Sequence, residues 1–200
     1  MTRLDIMMVG VLVVSVVIHE LAHGWVAWWC GDWTAKRKGR LSMNPLRHLD
    51  PLGSVLLPLM LVVTGSPVLF GWAKPVPVSM AALNDPRNDM VKVAVAGPLS
   101  NITIAWLVAK AVPFIGDTPW LGPIMSYAIG INVVLAVFNM IPIPPMDGSR
   151  ILYRWLPPTG CLIMDRMEPY GLWIILILAT AGLFDRVILA LAMPIMRAIM

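Results

Sequence analysis

Two histidines and one glutamate stand together in His19-Glu20-Leu21-Ala22-His23. On a helix, residues four apart project from the same face, one turn from each other. Two imidazoles in that register can hold one Zn²⁺, and the glutamate between them can reach a water on the metal. Zinc lowers the pKa of such a water toward about 7, and a carboxylate that takes its proton leaves a nucleophile for a carbonyl carbon. The chain holds three histidines and two glutamates. A chance occurrence of this register has a probability on the order of 10⁻³ or less. His19 and His23 are therefore candidate metal ligands, and Glu20 is the candidate general base. A purely structural polar cluster is the competing reading. It leaves three adjacent titratable groups in an apolar setting without a compensating partner, at about 2.5–3.5 kcal/mol for each one that is charged.

A catalytic zinc takes three protein ligands and keeps one position open. The third ligand has to come from elsewhere in the chain, and Asp147, His48, Asp50, Asp32 and Glu168 are the candidates. His48 and Asp50 sit in a basic loop beside Pro51, where turn-capping or surface roles are expected. Asp147 closes the run Asn139-Met140-Ile141-Pro142-Ile143-Pro144-Pro145-Met146-Asp147-Gly148, directly after a long apolar stretch. A solvated loop residue is the alternative reading for it.

The surroundings of the motif are those of a membrane protein. The 200 residues are 58% hydrophobic and 13% charged, with a mean hydropathy of +0.79. A soluble domain carries about a quarter charged residues. In lipid, backbone polar groups must be satisfied internally, which predicts an all-α bundle. Apolar stretches cover residues 6–29, 52–70, 91–112, 123–143 and 170–184, followed by an apolar tail. We expect about four to six transmembrane helices, with a re-entrant or extended segment between the first and second core helices. The whole chain is expected to be one integral membrane domain, with a core over residues 5–155 and C-terminal hydrophobic helices over 169–200. The first stretch runs on through the His-Glu motif, so it reads as a retained helix and not as a cleaved leader. The two cysteines, Cys30 and Cys161, form no thiolate metal pattern and imply no disulfide framework.

Charge sets the orientation. Lys36, Arg37, Lys38, Arg40 and Arg47 follow the first apolar stretch, Arg87 precedes the third, and Arg150, Arg154 and Arg166 follow the fourth. Residues 113–122 contain no lysine or arginine. The first helix should thus run toward the cytoplasm, the third away from it and the fourth back. Residues 52–70, interrupted by Pro58, Gly65 and Pro67, are then better read as a re-entrant or membrane-embedded hairpin, with an ordinary kinked transmembrane helix as the alternative. The same topology brings Asp147 to the membrane side occupied by His19 and His23. Residues 71–78, with Pro75 and Pro77, read as extended backbone. Within them, the edge over Lys74–Val78 is either a place for an unwound substrate strand or an ordinary membrane-hugging loop.

These residues together resemble the site-2 protease family of intramembrane metalloproteases. The HELAH run matches the family's first motif, and Asn139 to Gly148 matches its second. Gly97-Pro98-Leu99-Ser100-Asn101 is similar to its Gly-Pro-x-x-Asn element, and the resemblance spans roughly residues 18–152 in the manner of the compact bacterial and archaeal branch. It implies one Zn²⁺ per chain on His19, His23 and Asp147, with Glu20 as base. It also implies hydrolysis of peptide bonds in or near transmembrane segments of membrane-protein substrates. The expected location is a prokaryotic cell (inner) membrane, with the site toward the cytoplasm. Asn139 and Asn101 are candidate contacts for substrate backbone or oxyanion, with interhelical hydrogen bonding as the alternative. A zinc transporter and an inactive membrane scaffold remain the other function classes. Transport would call for polar residues at several depths, whereas the ligand set lies at one. Nothing in the sequence calls for nucleic acid.

Overall fold

The computed structural model describes residues 2–56, 60, 63, 72–114 and 119–200. Among them are eight α-helices and no strand: α1 (Arg3–Trp29), α2 (Thr34–Arg37), α3 (Pro86–Ala111), α4 (Leu121–Asn139), α5 (Asp147–Leu152), α6 (Pro158–Met167), α7 (Gly171–Thr180) and α8 (Leu183–Ile199). Short 3-10 and π turns join several of them.

Helices α1, α3 and α4 are long and apolar enough to cross a bilayer. Many of their apolar side chains face outward, Val9, Val14, Leu99 and Leu107 among them, as lipid-facing surfaces do. The expected count of four to six spans meets three spanning-length helices among the described residues. The C-terminal apolar tail divides its length between α7 and α8, which meet at Gly182 in a left-handed conformation (φ 66°). The expected re-entrant hairpin over residues 52–70 falls largely outside the described residues.

Two of the three long helices begin with a side-chain cap. Thr2 and Asp5 form a reciprocal capping box at the start of α1. Asp85 caps α3, with Pro86 in the first turn, where its missing N–H is harmless. Pro98 lies inside α3 beside Gly97, and both are buried against α1.

The three helices pack together, with α3 against both others. Contacts fix their directions. His23 meets Val93 and His19 meets Asn101, so α1 and α3 are antiparallel. Asn132 of α4 meets Ser15 of α1, while the chain leaves α4 toward Asp147 beside His23, so these two are parallel. The C-terminal end of α1, the start of α3 and the end of α4 therefore share one end of the bundle. The basic residues that follow α1 and α4 attach at that end. Ala105, Ile129, Val133, Ile188 and Ala192 form an apolar core among α3, α4 and α8, away from the site. Ala27, Leu83, Met90 and Val93 form a second core near the loops.

Candidate metal centre

Helix α1 presents Ser15, His19 and His23 at four-residue intervals, all buried. Helix α3 approaches that face through Gly97. A Cβ there would lie 2.6 Å from His19 Nε2 and would also meet His23 Nε2. Only a glycine lets the two imidazoles lie against the α3 backbone. Beyond α4 the chain turns through residues 140–146, which include three prolines, and α5 opens on Asp147. Gly148 allows that turn to close, since a Cβ at this position would strike the Met140 carbonyl.

The result is a tight triad. His19 Nε2 and His23 Nε2 are each 3.2 Å from Asp147 Oδ2 and 3.0 Å from each other. The outer nitrogens of both rings are already committed. His19 Nδ1 lies 2.6 Å from Asn101 Oδ1, and His23 Nδ1 lies 2.7 Å from the Val93 carbonyl. Both partners only accept, so each neutral ring spends its one proton on Nδ1. Neither Nε2 can then donate to Asp147, and Asp147 Oδ2 is a buried oxygen without a hydrogen-bond donor. Three lone-pair atoms thus converge with no proton among them. Ligand atoms around a tetrahedral zinc, with bonds of about 2.0–2.2 Å, stand about 3.3 Å apart. The donor set and its spacing fit that ion. Among the described residues, His19, His23 and Asp147 are the group with metal-ligand geometry.

The other candidate ligands are engaged elsewhere. Asp32 accepts hydrogen bonds from the Thr34 and Ser79 N–H groups. Asp50 caps the Leu52 and Gly53 N–H groups, and His48 pairs with the Ser42 carbonyl. Glu168 takes the Arg150 guanidinium.

Glu20 faces the same cavity as the triad, a space of about 650 Å³. Its Oε2 accepts the Val76 N–H at 2.7 Å. Residues 72–79 form a strap without helix or strand along the cavity. Gly24 admits the strap, because a Cβ there would meet Val76 Cγ1 at 2.9 Å. Much of the strap's backbone is already paired. Trp72 N donates to Gly53 O, Lys74 N to His48 O, and Ser79 N to Asp32, while Arg40 holds the Lys74 and Pro75 carbonyls. The open edge expected over residues 74–78 is therefore shorter than the sequence suggests.

The two asparagines part company. Asn139 lines the cavity, and its Nδ2 donates to Leu135 O. Asn101 is fully buried behind His19 and bonds that ring and Asn132, so its amide is spent inside the bundle. Sequence reasoning attached no role to Asn132 or Ser15. The available signal was Ser15, a third polar residue on the His19–His23 stripe.

Relatives carry the same chemistry in their names. The chain is 39% identical over 176 residues to the protein named putative zinc metalloprotease YwhC of Bacillus subtilis, covering 84% of this chain and 77% of that one. The chain belongs to the site-2 protease-like zinc metalloproteases. It is also 28% identical to putative zinc metalloprotease Rip2 of Mycobacterium tuberculosis (88% of this chain, 67% of the relative). To zinc metalloprotease MJ0392 of Methanocaldococcus jannaschii it is 29% identical (70% and 32%). No protein-family model matches the chain, and no solved structure matches it significantly. This membership makes the protein a zinc metalloprotease, and the triad is the place where its chain offers zinc a site.

Proposed function

We propose that this metalloprotease is an intramembrane endopeptidase, cutting peptide bonds in or near transmembrane segments of membrane proteins with Glu20 as general base. The observation that carries the reading is the convergence of His19, His23 and Asp147 in a bundle of spanning-length helices, with Glu20 on the same cavity. Zinc, when held there, supplies Lewis acidity toward the scissile carbonyl and acidifies a water. The Val76 N–H holds one Glu20 oxygen, and the other is free to take a proton. Asn139 is placed to hydrogen-bond the unwound substrate backbone or the developing oxyanion. A helical substrate has to unwind first, since its carbonyls are otherwise engaged in the i to i+4 ladder. The single domain extends over residues 1–200, with the site toward the cytoplasmic face of a prokaryotic cell membrane. The basic residues clustered at the triad's end of the bundle support that orientation.

A transport reading gains nothing from the polar groups that do lie deeper. Ser15, Asn101 and Asn132 are closed upon one another and outside the cavity. The test is purified protein with zinc measured and a model transmembrane substrate supplied. Glu20→Gln is expected to keep its zinc and to cleave about 10³-fold more slowly. Full cleavage by Glu20→Gln would remove the general-base assignment, and zinc flux without proteolysis in the unaltered protein would remove the protease reading.

A further inference from the structure

We propose that Ser15, Asn132 and Asn101 form a polarised hydrogen-bond relay that fixes His19 as an Nε2 ligand, with Asn132 as the positioning residue that sets its direction. The proposal rests on the metal-site reading above.

The relay crosses three helices. Ser15 Oγ donates to the Val11 carbonyl at 2.8 Å. Asn132 Nδ2 donates to Ser15 Oγ and to the Ala128 carbonyl, both at 2.9 Å. Asn101 Nδ2 donates to Asn132 Oδ1 at 2.8 Å and lies 3.5 Å from the Ser15 carbonyl. His19 Nδ1 completes the chain on Asn101 Oδ1. Both asparagines are 0% exposed and Ser15 is 2% exposed, so water cannot replace a lost partner.

The direction is not free. Main-chain carbonyls only accept, so Ala128 O obliges Asn132 to turn its NH₂ that way. That leaves Asn132 Oδ1 facing Asn101, which must answer with its own NH₂. Asn101 Oδ1 is thereby turned to His19. An oxygen at that point selects the ring tautomer with hydrogen on Nδ1 and the lone pair on Nε2, toward Asp147 and His23. Flipping Asn101 would set an NH₂ against Nδ1 and put the proton on Nε2, where it would block the metal. Flipping Asn132 would set its NH₂ against that of Asn101 and favour the same flip. His23 needs no such device, because its Nδ1 meets the Val93 carbonyl directly. One ligand is thus oriented by backbone and the other by three side chains. None of the three lines the cavity, so they act through His19 and not on substrate.

The experiment uses the full chain in detergent, with zinc affinity from chelator competition and the visible absorption of the Co²⁺-substituted protein. Asn132→Leu keeps the number of side-chain heavy atoms and deletes the relay, and it is expected to weaken zinc about 10- to 100-fold and to shift the Co²⁺ bands. Val133→Ala, a neighbouring core change on α4, is the control for general loosening and should leave zinc affinity within about twofold. Ser15→Ala should weaken zinc about fivefold, and Ser15→Thr, which keeps the hydroxyl, should restore it. The Ser15 pair decides the matter if Asn132→Leu does not fold. Wild-type affinity in Asn132→Leu and Ser15→Ala would overturn the relay alone, as would an equal loss in Val133→Ala at matched thermal stability. Absence of a zinc site in the wild type, or its survival in His23→Ala, would overturn the metal-site reading together with the relay.

Discussion

The triad has two walls, and they are built in opposite ways. Behind the histidines, α3 and α4 supply Gly97, the Val93 carbonyl and the Asn101–Asn132 pair, all buried, with Val93 bonded to His23 and Asn101 to His19 and Asn132. In front, residues 72–79 run along the cavity as an irregular strap tied down by hydrogen bonds from scattered loops. The rear wall joins buried faces of α-helices, where a displaced group finds no water and no second partner. The strap has no ladder of its own, and prolines at 75 and 77 remove two donors. A ligand set needs the first kind of wall, and a substrate that must enter needs the second. The division predicts that changes in the rear wall act on zinc, while changes in the strap act on turnover with zinc intact.

The strongest way to break that division is Gly97→Ala. The added methyl would lie within 2.6 Å of His19 and against His23, and backbone on one side with a metal ligand on the other leaves neither free to yield. Zinc affinity should fall at least about 100-fold, read by chelator competition. If Gly97→Ala binds zinc normally, the rear wall is softer than its packing implies.

Val76→Pro probes the strap. It deletes the N–H on Glu20 Oε2 between two residues that are already proline. Losing one hydrogen bond to a charged oxygen costs about 1.5–3 kcal/mol, which corresponds to a fall in kcat of about tenfold or more. Zinc content should be unchanged. A loss of zinc in this variant would erase the distinction between the two walls.

The same division explains what was legible in the sequence. The HExxH register, the Asn139–Gly148 run and the basic clusters follow from local spacing and charge. Those signals place His19, His23, Glu20 and Asp147 at one end of one bundle. The role of Asn101 is a matter of tertiary packing. The same amide could face a cavity or a neighbouring helix, and a modest turn of α3 decides which. Asn132 looked unremarkable because its partners lie 31 and 117 residues away. Pro75 and Pro77 mark residues 71–78 as non-helical in the sequence. The strap's pairing to His48, Arg40 and Asp32 depends on loops whose fold carries no periodic signal.

The smallest expected effect concerns the far end of the strap, where Asp32 is 1% exposed and accepts the Ser79 and Thr34 N–H groups. Burial opposes its ionisation, but the hydrogen bonds from Thr34 and Ser79 outweigh it, and the carboxyl lies below the usual aspartate value. A lowered folded pKa means that the unfolded chain binds the proton more readily. The stabilisation is therefore fully present above the unfolded value of about 4 and is lost as the pH falls through the lower folded value. Between pH 5 and 8 the clamp should be constant, so Asp32 contributes no inflection to the cleavage profile there. Asp32→Ala leaves two N–H groups short of an acceptor at every pH, which loosens the strap without touching the triad. We expect KM to rise about threefold at pH 7, the scale of a single weakened hydrogen bond, with zinc retained. Thermal midpoints measured from pH 7 down to 3 complete the check. The wild type should lose its advantage over Asp32→Ala only below about pH 4. An advantage already lost at pH 6 would mean that a different titrating group, and not Asp32, holds the strap against the bundle.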